Sequence, residues 1–398
     1  MLSTRISRRG LGLRALAGAA ALAVISACAP TKPIASGETG ISVDPNQTVK
    51  VALLAPLGSG DPGKERIGTN LVNAAKLAQA DLTNASIDLV VYPDSGTSAG
   101  GAAAARQAVD EGAKIIIGPL FSTATAGAEP VARAAGITVL SLSNNPDVAG
   151  GNVYILGNTF ANSADQIVAF AQSRGLNSFG VVYPSGIEGE AARAAAEAAV
   201  QRRGGLLVAS QAYDLSVEGI NSVAPAAAGR LQSAGANAII LTDGPTGGLG
   251  LIAKGLRDGG LSQDYAQFLG MQRWDVSAEA VGDPALQGGA FVAPDPSYAG
   301  AFVGRYQNTY GEAPHELASL AFDGVAAVGA LISEARSSGG EPFDPGRITQ
   351  SSGFAGASGP FRLLPDGTIQ RNLAIMTVQN GTASLAQGAA RSFDSLGN

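Results

Sequence analysis

The chain of 398 residues carries 26 lysines and arginines against 32 acids, a net charge of −6, with one histidine and one cysteine. An acidic chain without a basic run excludes nucleic acid and anionic membrane surfaces as partners. The single histidine and cysteine exclude the common His/Cys zinc sites and leave only His315 for a Ser-His-Asp triad, so neither metal nor cofactor is expected.

In chain order, Arg5, Arg8, Arg9 and Arg14 come first, Leu16 to Ile25 form a short apolar core, and Ser26 and Ala27 are small. This is the pattern of an export signal over residues 1–27. The run Val24-Ile25-Ser26-Ala27-Cys28 resembles the lipobox, in which the cysteine is acylated and becomes the first residue. Cys28 is therefore the expected lipidation site; a buried structural cysteine is the alternative. Arg8-Arg9 also resembles a twin-arginine signal, with ordinary secretory export the simpler reading. Ala29, rather than an aspartate, follows Cys28. In Gram-negative lipoproteins this implies the outer membrane. Removal of 1–27 leaves 371 residues and a net charge of −10, enough chain for two lobes and no cysteine for a disulfide. No later segment reaches the roughly 18 uninterrupted apolar residues of a spanning helix.

Residues 28–48 are polar and aperiodic, a flexible tether. From Val49 an alternation begins: strands at Val49–Leu54, Asp88–Tyr92, Lys114–Gly118 and Thr138–Leu142, with helical spacing at 67–83, 98–112 and 123–135. Val153–Asn158 reads as a crossing strand. A second set follows: helices at 161–174, 188–203, 217–233 and 246–259 alternate with strands at 178–183, 206–213, 238–242 and 267–270. Then come a strand at 289–293, helices near 298–310 and 316–338, and a strand-rich end from Phe354 to Gln379. Continuous Val/Ile/Leu strands alternating with helices predict mostly parallel sheets covered on both faces. The expected fold is α/β and two-lobed, with a cleft at the carboxyl ends of the strands.

Gly58-Ser59-Gly60-Asp61-Pro62-Gly63 matches G-x-G-x-x-G between a strand and a helix. Pro62 removes an amide, the third glycine precedes the helical pattern, and no acid stands about 20 residues on. A Gly-rich cleft loop is the expected reading. His315 falls in an opening helical turn, where a solvated residue is expected rather than a base.

Four stretches resemble the type I periplasmic binding protein superfamily, the branch of the branched-chain amino-acid receptors: Val51 to Leu57, Ile116 to Leu120, Val139 to Asn144 and Gly359 to Phe361. The resemblance implies two lobes joined by crossing strands, closing like a clamp. Expected bounds are 49–157 and 288–345 for the first lobe, 158–287 and 346–382 for the second, and 383–398 for a loose tail. Within the superfamily, Glu111 to Leu120, Pro130 to Gly136, Gly270 to Asp275 and Pro360-Phe361-Arg362 with Asp366-Gly367 resemble the penicillin-binding protein activator lipoproteins. That likeness implies a non-enzymatic envelope lipoprotein, facing the periplasm, membrane-bound through its lipid alone, that regulates peptidoglycan synthesis by contact with a synthase. Characterised activators carry a further helical-repeat domain, absent from this sequence. The alternative is the substrate-binding lipoprotein of an ABC importer for an amino-acid-like or small polar or anionic solute.

The superfamily grips a ligand carboxylate with first-lobe hydroxyls and amides, which places Ser122, Thr123, Ser143 and Asn144 at the expected cleft. Helix capping and turns are the competing explanation for such residues. In the second lobe, where an ammonium would meet aromatic and acidic residues, stand Ile187, the turn of Asp243, and Gln272 with Arg273. Arg273 suits a carboxylate or phosphate and repels an ammonium unless Asp243 supplies the counter-charge. Trp274 is read either as a plug between the lobes or as a cleft wall or partner anchor.

Overall fold

The computed structural model describes residues 41–393; the expected signal, Cys28 and most of the tether lie outside the described residues. The first lobe begins with β1 (Val49–Ala55), α1 (Pro62–Ala80), β2 (Ile87–Pro93), α2 (Ser98–Asp110), β3 (Ile115–Ile117), α3 (Ser122–Ala134), β4 (Thr138–Ser141) and β5 (Val153–Ile155). The second holds α4 (Phe160–Ser173), β6 (Ser178–Pro184), α5 (Ile187–Arg202), β7 (Leu206–Tyr213), α6 (Val217–Ser233), β8 (Ala238–Leu241), α7 (Leu249–Asp258), β9 (Gln267–Gly270), α8 (Ala278–Gly282) and β10 (Ala290–Ala293). The chain returns through α9 (Pro296–Tyr310), α10 (Ala318–Ser338), α11 (Pro345–Ile348) and the hairpin β11 (Phe361–Leu363)–β12 (Ile369–Arg371). It ends on β13 (Ala374–Gln379) and β14 (Thr382–Gln387).

The first sheet is parallel, ordered β2-β1-β3-β4-β5. Its strands are mostly apolar because both faces are covered, with Lys50 of β1 and Asp88 of the edge strand β2 the charged exceptions. On β1, Val51 and Leu53 pack with α1 and α10, while Ala52 and Leu54 pack with α2 and α3. The second sheet, β14-β13-β10-β9-β8-β6-β7, is parallel from β10 to β7 and antiparallel at the β13 and β14 edge. Helices α4 and α5 cover one face, α6 and α7 the other. In each sheet the strand order reverses beside the first strand, between β1 and β3 and between β6 and β8. Ligands of open α/β sheets bind at such reversals.

The lobe boundaries differ from expectation. β10 belongs to the second sheet, so the chain re-enters the first lobe at 294–296, not at 288. Residues 346–371 stay in the first lobe, because Ile348, Phe354, Phe361, Leu363 and Ile369 belong to its core. The crossing back lies at 371–374. The expected loose tail is ordered where described: β14 pairs with β13, and 388–393 continue over the hinge. There the Ala389 N–H donates to Asp295 (2.8 Å), Asn372 donates to the Ala390 carbonyl (2.9 Å), and the buried Phe393 ring lies 4.7 Å from the Arg362 guanidinium. The tail is a fourth connection between the lobes.

Candidate functional site

Between the lobes lies a cleft of about 460 Å³, a size typical of small-molecule sites. Loops after strand carboxyl ends build it, with Leu120 and Phe121 following β3. Their path begins at Gly118, which admits no side chain: its φ is +85°, and a Cβ there would stand 2.1 Å from the Leu54 carbonyl oxygen. Leu142 and Asn144 follow β4, Pro245 and Thr246 follow β8, and Met271, Gln272 and Arg273 follow β9. The turn before α10 adds Glu316 and Leu317, α5 adds Glu188, and the crossings floor the cleft with Asn158, Phe160 and Arg371.

Of the residues expected at the cleft, Asn144, Gln272 and Arg273 line it. Gln272 donates to the Thr242 carbonyl (2.9 Å). The other five do not line it. Ser122 is the first residue of α3, half-buried and not capping it, and Thr123 is exposed, reaching the Gly96 carbonyl at 3.5 Å. Ser143 is buried and accepts from Asn145 N–H (3.1 Å), a local turn. Asp243 is committed to its own loop: its carboxylate accepts from Gly244 N–H and Tyr213 O–H, at 2.8 and 2.9 Å, and from Gly248 N–H. These donors are all neutral and hold the carboxylate in its loop, outside the cleft lining. Trp274 is fully buried inside the second lobe, stacked on Phe291 with ring centroids 5.4 Å apart. It is a plug within one lobe rather than between two. The slot exists because residues 270 and 289 are glycines; a Cβ on either would come within 2.6 Å of the indole.

Arg273 makes a bidentate pair with Asp275, Nε to Oδ1 and Nη2 to Oδ2 both 2.9 Å. Burial pulls its pKa down, but the Asp275 hydrogen bonds and the charges of Asp275 and Glu316 outweigh this and raise it. The second cleft arginine, Arg371, is also taken: its Nη1 donates to Asp323 (2.7 Å), fully buried on α10. Each cleft arginine thus has its own carboxylate outside the cleft lining. Glu188 and Glu316, one from each lobe, have no ion-pair partner within 4 Å among the described residues. The cleft lining therefore holds two acids without a close ion-pair partner, although the charge of Glu316 already reaches Arg273. On the first lobe, α3 starts at Phe121, which lines the cleft, with no side-chain cap on its first turn.

Sequence reasoning missed Phe121, Glu188, Glu316 and Arg371. Phe121 was findable as a residue that follows a strand's carboxyl end. His315, beside Glu316, is half-buried rather than solvated: its Nδ1 accepts from Leu317 N–H (3.2 Å), and burial lowers its pKa. It closes the turn just ahead of α10, whose own first turn has no side-chain cap. The Gly-rich loop is likewise closed to phosphate. Ser59 and Gly60 amides donate to Glu65 (2.7 and 3.2 Å), and Asp61 caps α1 through Gly63 and Lys64 (2.8 and 3.2 Å).

A family model described as periplasmic binding protein matches residues 48–383. Among solved structures, a protein of Rhodospirillum rubrum described as a putative branched-chain amino acid ABC transporter is similar at 18% identity and a TM-score of 0.74, over 85% of this chain and 100% of its own. An ABC transporter substrate-binding protein of Desulfitobacterium hafniense in complex with Leu is similar at 18% identity and 0.63, over 85% and 100%. A solute-binding protein of an ABC transporter of Rhodopseudomonas palustris BisB5, in complex with 3,4-dihydroxybenzoic acid, is similar at 19% identity and 0.58, over 86% and 98%. A search among curated proteins finds no match.

Proposed function

Because the chain belongs to the periplasmic binding protein family, we propose that it is a non-enzymatic receptor whose cleft binds a small amine-bearing, amino-acid-like solute for an ABC importer. The observation that carries this reading is the charge of the cleft. Two arginines are already neutralised by Asp275 and Asp323, and Glu188 and Glu316 are left to meet a cation. A ligand carboxylate would dock at the open amino end of α3, and its ammonium between the two glutamates. An aromatic acid such as the benzoate-type ligand of the R. palustris protein has nothing to offer those glutamates. Acylation at Cys28 would hold the receptor at a membrane, the outer one by the residue that follows it.

The test is a thermal-shift and calorimetric screen of the chain from Cys28 onward against leucine-type amino acids, short peptides and benzoates. An amino acid should raise the melting temperature, by the equivalent of about 2.7 kcal/mol at one hundred times its dissociation constant. Glu316→Gln should weaken it at least tenfold. Benzoate binding of equal strength, or Glu316→Gln without effect, would overturn the reading. The regulator of peptidoglycan synthesis is the second reading, favoured by exposed apolar side chains on the second lobe: Ile187 (94% exposed), Val217 (61%) and Leu215 (57%). Silence towards every solute, with capture of a penicillin-binding protein, would select it.

A further inference from the structure

Behind the hinge lies a second concavity of about 580 Å³, larger than the cleft. Both lobes build it: Pro146 and the β11–β12 hairpin from the first, α4, α5, β13 and the end of β14 from the second. Along the third crossing the side chains alternate. Gln370 and Asn372 line the groove, Arg371 lines the cleft, and Leu373, like Phe160, borders both. Extended chain sends successive side chains to opposite sides, so the crossings are a thin partition between front and back. Two bodies pivoting on such a partition narrow the front only by widening the back.

The groove has an apolar floor and four charged residues, Asp165, Arg202, Arg203 and Asp366. Ala169, Ala195 and Ile375 form part of the floor. Arg203 holds Asp165 with a bidentate pair, Nε to Oδ1 at 3.0 Å and Nη2 to Oδ2 at 2.5 Å. Arg202, with its side chain 54% exposed, reaches the same carboxylate at only 3.7 Å. Asp366, on the other lobe, is occupied by the Thr368 N–H and hydroxyl (2.9 and 2.6 Å). Two arginines thus share the one carboxylate of Asp165, which leaves that side of the groove net positive with Arg202 the less tightly held, while Asp366 stands on the other lobe; guanidinium is suited to carboxylate and phosphate.

We propose that this groove is a second binding site, for a small amphipathic anion whose head meets Arg202 and whose apolar body lies on the alanine floor, and that its occupation favours closure of the front cleft. A molecule filling the back stabilises the arrangement in which the back is wide, which is the arrangement with the front closed. The site stands whatever the front cleft binds.

Calorimetry with octanoate and with octyl phosphate tests the site, and solution X-ray scattering with each probe at saturation tests the coupling. Binding should weaken at least tenfold in Arg202→Gln and stay within twofold in Arg133→Gln, an exposed α3 arginine that lines neither the groove nor the cleft. The radius of gyration should fall when either probe is bound. Absence of binding by both probes, binding indifferent to Arg202→Gln, or binding lost equally in Arg133→Gln would overturn the site. A radius that rises or stays constant would overturn the coupling. Octyl phosphate preferred over octanoate assigns the head as phosphate, and the reverse preference as carboxylate.

Discussion

Asp94, fully buried at the end of β2, accepts from Gly96 N–H (2.7 Å) through one carboxylate oxygen, while the other has no partner among the described residues. Burial raises its pKa from 3.8 to about 6, against a smaller lowering by the Gly96 amide. The folded chain therefore holds this proton more tightly than the unfolded chain does. Its contribution is lost as pH rises from the unfolded value through about 6, and above that the buried charge is a constant cost of about 3 kcal/mol. Asp94→Asn should raise stability by about 2–3 kcal/mol at pH 7.5, with the gain vanishing below pH 4. Melting curves of variant and parent at both pH values check this. A gain that is independent of pH would show that desolvation of the charge is not its source.

At the scale of elements, the tail shows what tertiary structure adds. Phe393 is buried against Arg362 across the hinge from β14. Phe393→Ala should cost about 2 kcal/mol, near the low end for a buried aromatic, since one face of the ring meets a half-exposed guanidinium. Denaturant unfolding checks it, and an unchanged midpoint would return this segment to a loose tail. Nothing in Thr382–Gln387 announces a strand: it lies mostly exposed at a sheet edge and owes its form to pairing with β13. The strands from β1 to β9 were legible because burial on both faces demands unbroken apolar runs. The site was legible only in part, for a similar reason. Asn144, Gln272 and Arg273 follow strand ends, where the fold rule places a cleft, whereas Arg371 and Glu316 come from segments whose position depends on how the lobes join. Trp274 follows Arg273 directly yet turns into the core, because Gly270 and Gly289 open a slot there.

At the scale of the whole molecule, each lobe has its own core, and the hinge alone makes them one body. Arg371 is its centre. Its side chain is held by Asp323 of the first lobe and stacks 4.7 Å from Phe361, while its backbone N–H donates to Asn162 of α4 (3.1 Å) and its carbonyl accepts from Asn162 (2.9 Å) and Gln166. One residue thus ties α10 to α4. Loss of one member of a buried pair leaves the other charge unpaired, at a cost of about 3–5 kcal/mol, whereas replacing both by apolar residues is close to neutral. Asp323→Ala should therefore weaken the junction more than either core. Calorimetry of the parent should show one transition, and of Asp323→Ala two, with the calorimetric enthalpy exceeding the van't Hoff value. The double variant Asp323→Leu with Arg371→Met should recover most of the lost stability and the single transition. A single transition in Asp323→Ala, shifted by less than about 1 kcal/mol, would show that the crossings alone couple the lobes and that the buried pair does not.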